Sequence, residues 1–110
     1  MQTKYGDISD VLTYNYLSRL IDKLFKIIPL KETHSNTVGT YIEDLLFELT
    51  GNNSVVEDSA YNPKILDIIS IIESIKIQEM THDEYRRLVF KCINTVEQLQ
   101  EIVKDEVHKR

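Results

Sequence analysis

The 110-residue sequence predicts an all-α domain: an antiparallel four-helix bundle with a long C-terminal helix. Three observations predict it. Apolar residues recur at three- and four-residue steps in four separate segments. Two segments open on strong helix-start signals, Asn62-Pro63 and the capping box Thr81-His82-Asp83-Glu84. Three glycines and two prolines are too few for a loop-rich β protein. The length is that of one domain, residues 1–110.

The first helix is expected from Asp10 to Ile28, with Leu17, Leu20, Ile21, Leu24 and Ile28 on one face. Asp7 or Ser9 can accept the free amides at its start. Pro29 is expected to end it, since the residue before a proline avoids helical geometry and proline has no N–H to donate.

The second helix is expected to end at Thr50, with Gly51 just past its end. Its start is either Thr37 or the capping box Thr40-Tyr41-Ile42-Glu43, and its apolar face is Ile42, Leu45, Leu46 and Leu49. The polar stretch from Gly51 to Asn62 reads as the longest connection and the best candidate for mobility. It lacks the alternating acidic and amide ligands of a calcium loop.

In the third segment, eight of the residues from Ile65 to Ile77 are Ile or Leu. That density suits a buried strand, but the segment's length and its Asn-Pro start favour a helix. Its apolar positions cover more than half the circumference, so it is expected to be the central, most buried helix, with Ile68, Ile69 and Ile72 in the core. In the fourth segment, Tyr85, Val89, Cys92, Val96, Leu99 and Val103 form a heptad-like seam, widened by Leu88, Ile93, Ile102 and Val107.

Composition removes several classes. Fourteen isoleucines are more than a disordered chain carries. One cysteine forms no internal disulfide, and no apolar run reaches the ~18 residues of a membrane span. Met1-Gln2-Thr3-Lys4-Tyr5-Gly6-Asp7 has no apolar core and does not read as a secretory signal, so a cytoplasmic location is expected. Residues 1–40 carry a net +1, residues 41–84 a net −8 and residues 85–110 a net +2. An acidic middle repels phosphate backbones, so nucleic-acid binding is not expected.

The sequence offers little chemistry. Glu79-Met80-Thr81-His82 has the Glu-x-x-His spacing of di-iron bundles, but a single copy straddling a helix boundary does not build a metal site. Cys92 falls in the apolar seam and reads as a small core residue rather than a nucleophile. Arg19, Lys23 and Lys26 read as the outer face of an amphipathic helix, with Asp22 placed to pair with Lys26. No phosphate-cradling glycine loop or hydrolase motif is present, and no catalytic residue, cofactor or small-molecule ligand is expected.

The function expected is therefore a non-enzymatic protein–protein interaction module: a homo-oligomer, or an accessory subunit of a larger bacterial or phage complex. The alternative is an acidic inhibitor or immunity-type protein that neutralises a basic target. Helix lengths point to the C-terminal helix as the contact. At 1.5 Å per residue a helix from His82 to Lys109 spans roughly 42 Å, about 14 Å more than the first helix. Leu99, Ile102, Val103 and Val107 continue the apolar stripe along that overhang. They are the expected interface with a second copy or another protein.

Overall fold

A computed structural model describes residues 1–108, and the side chains of residues 1–103. A two-residue hairpin, β1 (Gln2–Thr3) and β2 (Gly6–Asp7), precedes four helices: α1 (Asp10–Glu32), α2 (Val38–Val55), α3 (Asn62–Ile77) and α4 (His82–His108). The fold is an all-α bundle, 77% helical, with the four helices packed on each other. Helix α1 packs on α4 and α2, and α3 packs on α2 and α4, so the helices close a ring. Cross-helix contacts establish the antiparallel order. Along α1, Ser18, Phe25 and Glu32 meet Gln100, Phe90 and His82 of α4 in turn. On the other side of the ring, Glu43 of α2 meets Lys76 of α3, and Asn52 meets Tyr61.

Helix α1 is capped by Ser9, whose Oγ accepts from the Leu12 amide at 3.2 Å. Asp7 instead pairs with the Met1 ammonium at 3.0 Å. Pro29 does not end the helix. It forgoes the bond its own amide would give Phe25, but it lies in the last turn, where later residues hold the chain. Ile27 is fully buried, Lys31 donates to the Ile75 carbonyl at 3.3 Å, and Glu32 meets His82 at 3.2 Å. The helix ends at Glu32, and His34, just past the Thr33 cap, takes the left-handed conformation with φ 51°. The His34 amide bonds the Lys31 carbonyl at 3.2 Å and the Ser35 amide bonds the Leu30 carbonyl at 3.1 Å. That is the paired bonding of a Schellman end. Ile27, not Ile28, completes the buried row of Leu17, Leu20 and Leu24, while Ile21 and Ile28 are half-buried.

Helix α2 starts after Thr37 and runs through Gly51 to Val55, five residues past the expected stop at Thr50. The capping box at Thr40 does not form, and Glu43 reaches Lys76 instead. The extra turn is held from outside. Tyr61 donates its hydroxyl to Asn52, and the Asn62 amide group donates to the Asn53 carbonyl, the Asn53 side chain and the Val56 carbonyl. These bonds offset the ~1 kcal/mol that a helical glycine costs.

The stretch expected to be a long mobile connection therefore shrinks to residues 56–61, and it is densely bonded. Thr3 bridges to Val56, Lys4 donates to the Val55 carbonyl and Glu57 donates to the Gln2 carbonyl, both at 2.9 Å. The N-terminal hairpin thus clamps the α2–α3 connection. Its turn uses Gly6 at φ +124°, a conformation that L side chains rarely adopt. Strands this short show no alternation, so the sequence pattern does not reveal them.

Asn62 is not the cap of α3. Its side chain is spent on the loop, Tyr61 stands at the N-cap with no side-chain bond to the helix, and Asp58 Oδ1 holds the turn just before it, accepting from the amides of Ala60 and Tyr61 at 2.9 and 3.0 Å. Helix α3 is not the central helix either. It buries one row, Ile65, Ile68, Ile72 and Ile75, while Ile69 and Ile71 are half-buried and Leu66 and Ile77 face solvent. In a four-membered ring every helix has an outer face, and isoleucine density did not change that. Helix α4 is as expected. Its capping box forms reciprocally, Thr81 N to Glu84 Oε2 at 3.4 Å and Glu84 N to Thr81 Oγ1 at 3.3 Å. The seam from Tyr85 to Val103 is buried along its whole length.

Candidate functional site

As far as Val103, the stretch of α4 expected to overhang is covered by the rest of the chain. Helix α1 is longer than expected, and Met1 and Asp10 at the N-terminal end, with Asp58 and Tyr61 in and beside the α2–α3 connection, close around Leu99, Ile102 and Val103. Leu99 is 2% and Val103 4% exposed, so both belong to the chain's own core; Ile102 is 42% exposed. The side chain of Val107 lies outside the described residues. The apolar stripe is real, but its covering layer comes from the same chain.

Exposed apolar side chains gather in two other places. On α2, Phe47 is 84% exposed in the middle of the helix. Glu43, one turn earlier on the same side, pairs with Lys76 of α3 at 2.9 Å, so this side of α2 looks along α3. There α3 presents Leu66, Glu73 and the 79% exposed Ile77. Charge on this face is mostly negative. Glu43, Asp44 and Glu48 are the ionic residues of α2, which has no lysine or arginine. Glu48 meets Lys23 and accepts from the Tyr16 hydroxyl. Burial, and then the nearby Glu48 charge, push the Tyr16 phenol well above its ordinary range.

The second gathering lies in the outer groove between α1 and α4. Phe25 and Phe90 meet edge to face, 5.5 Å between centroids at 80°, and are 43% and 36% exposed. The Arg86 guanidinium lies 5.7 Å over the Phe90 ring. Val11 and Tyr14 extend the groove toward the N-terminus. Beneath it, Gln100 donates to the Ser18 hydroxyl at 2.8 Å, fixing α4 against α1.

A cleft of about 630 Å³ opens at one end of the bundle, where the α1–α2 and α3–α4 connections meet. Lys31, His34, Lys76, Glu79, Met80 and Tyr85 line it. Its polar groups are largely committed to structure. Lys31 caps the Ile75 carbonyl and lies 5.4 Å over the Tyr85 ring, and Lys76 pairs with Glu43. His82 beside it bonds the Tyr85 hydroxyl through Nδ1 at 2.7 Å and Glu32 through Nε2 at 3.2 Å. The Glu79–His82 spacing therefore gathers no ligand set, and no group of three or more metal-ligating residues occurs among the described residues. Cys92 is fully buried, and that burial pushes its thiol up to about 12.

The exposed phenylalanines are the residues that sequence reasoning missed. The signal was present: Phe47 lies two positions past Leu45, about 200° round the helix from the buried row. No protein-family model, curated protein or solved structure matches the chain. None of the described helices is long and apolar enough to cross a membrane.

Proposed function

We propose that the protein is an interaction module rather than a catalyst, and that it docks a basic protein surface on its α2–α3 face with Phe47 as the anchor. The observation that carries this reading is the 84% exposure of Phe47 on a helix that has three carboxylates and no basic residue. An exposed aromatic side chain inside a charged rim is the arrangement of an interface anchor, which gains most of its energy when a partner desolvates it. Leu66 and Ile77 on the adjoining helix widen the apolar surface that a partner would cover. The negative rim selects a positively charged partner and speeds the encounter. Such a module serves equally as a subunit of a larger assembly or as an acidic inhibitor of a basic target. Neither role uses the C-terminal stripe, whose Leu99 and Val103 are already covered.

Affinity capture with the wild type and with Phe47→Ser, each at low and high salt, tests this. Expected is a basic protein retained by the wild type at low salt and lost with either change. Capture that neither the substitution nor salt alters would overturn it.

A further inference from the structure

The cleft where the α1–α2 and α3–α4 connections meet has a volume of about 630 Å³, within the range of about 300–1,000 Å³ that takes a small molecule. Its charged groups are not equally neutralised. Lys76 has Glu43 at 2.9 Å, and His82 beside the cleft has Glu32 at 3.2 Å. Lys31 is half-buried, and within the described residues no carboxylate pairs with it. It is held instead by the Ile75 carbonyl at 3.3 Å and by the face of the Tyr85 ring at 5.4 Å. Both attract a cation and neither carries a net charge, so they fix the ammonium in place without cancelling it. The ammonium has three donors, and the bond to Ile75 leaves others for an oxygen in the cleft. Helix α2 adds to the positive potential, since it starts at the cleft wall with no acidic residue in its first turn and no side-chain cap. Beside these charges the wall is apolar, with Val38 and Met80 half-buried against the core. Glu79 also lines the cleft, exposed and in no ion pair among the described residues.

We propose that this cleft binds a small monocarboxylate with an apolar tail, its carboxylate on the Lys31 ammonium and its tail against Val38 and Met80. A charge-assisted bond to a cation already held in position costs little ordering, and it is stronger than the same bond to a mobile surface lysine. A single negative charge suits the cleft better than the two of a phosphate, because Glu79 faces the same space. The apolar wall gives a tail more than it gives a bare inorganic anion. The site uses neither Phe47 nor a partner protein, so it stands or falls independently of the docking face.

Amide resonances of the isotope-labelled intact chain, followed through titrations with hexanoate, its neutral isostere hexanamide and inorganic phosphate, test this. Hexanoate is expected to move the amides of Ser35, Val38, Glu79 and Met80 saturably. Hexanamide, which has the tail without the charge, is expected to bind about tenfold more weakly or worse. Phosphate, which has charge without a tail, is expected to bind more weakly than hexanoate. Lys31→Met keeps the length of the side chain and removes its charge, and is expected to weaken hexanoate about tenfold with helicity unchanged by circular dichroism. Glu79→Gln, at an exposed position, removes the like charge and is expected to tighten hexanoate about twofold or more. Should Lys31→Met fail to fold, the hexanamide comparison and Glu79→Gln decide the matter. The proposal is overturned if hexanoate gives no saturable shifts, or shifts gathered around Phe47 or the Phe25–Phe90 groove instead. Hexanamide or phosphate binding as tightly as hexanoate overturns it too, as does a folded Lys31→Met that binds like the wild type. Weaker binding by Glu79→Gln would mean that the ligand needs a carboxylate there, and a plain monocarboxylate would be the wrong class.

Discussion

The Ser35 amide donates to the Leu30 carbonyl at 3.1 Å, and this bond, with its companion from His34 to Lys31, closes α1 at Glu32, three residues beyond Pro29. The geometry places a histidine where glycine is the usual occupant. A side chain in the left-handed region costs roughly 1–2 kcal/mol, and glycine returns part of the gain as unfolded-state entropy. His34→Gly is therefore expected to stabilise the protein by about 0.5–1 kcal/mol in denaturant unfolding. Destabilisation would mean that the His34 ring makes a contact worth more than its backbone strain.

The fate of Leu99 and Val103 separates core from surface. Both are covered by the chain itself, so Leu99→Ala is expected to cost about 2–5 kcal/mol. The double change Leu99→Asp with Val103→Asp is expected to unfold the domain, because it buries two carboxylates without partners. Ile102→Asp, at an exposed position, is expected to shift stability by ~0.5 kcal/mol or less. Circular dichroism of the three variants checks the ordering. A folded double variant would return these residues to the surface.

Helix α3 offers a phase test one residue wide. Ile68 is fully buried and Ile69 half-buried. Ile68→Ala is expected to cost about 2–5 kcal/mol and Ile69→Ala clearly less. The reverse order in urea unfolding would show that the helix is rotated by a third of a turn.

Burial of acidic protons sets the alkaline limit. Burial pushes the Cys92 thiol up from an ordinary 9.0 to about 12, and it is the chief cause that raises the Tyr16 and Tyr61 phenols as well. The folded state holds these protons more tightly than the unfolded chain does. Their contribution is complete below about pH 9 and is lost as pH rises through the folded values. Unfolding midpoints are expected to fall steadily above about pH 9. The Cys92 thiol is expected to react with a disulfide reagent at neutral pH only as fast as the protein opens, and faster in denaturant. Reaction at the rate of a free thiol in native buffer would contradict its burial.

These residues also show what the sequence made legible. Helix α4 could be read almost entirely, because its signals are local: a capping box four residues long and a seam of one period. Pro29 and Gly51 misled, since each opposes helix locally but is overruled from a distance. Lys31, Glu32, Asn52 and Asn53 find partners on other elements that no sequence window contains. The same holds for the hairpin, whose register depends on Val55, Val56 and Glu57, more than fifty positions away. Of the candidate site, the acidity of α2 was visible in the residues, and so was the position of Phe47 off the buried row. The opposition of that face to the Phe25–Phe90 groove required the ring order of the helices.

A photo-reactive amino acid in place of Phe47, with a second protein carrying it at the exposed Ser59 as control, tests the docking face directly in the native cell. Expected is a covalent adduct with a basic protein from position 47 that is absent from position 59 and fades in high salt. Adducts of equal yield from both positions, or none from position 47, would contradict the assignment of the α2–α3 face as the surface through which this protein acts.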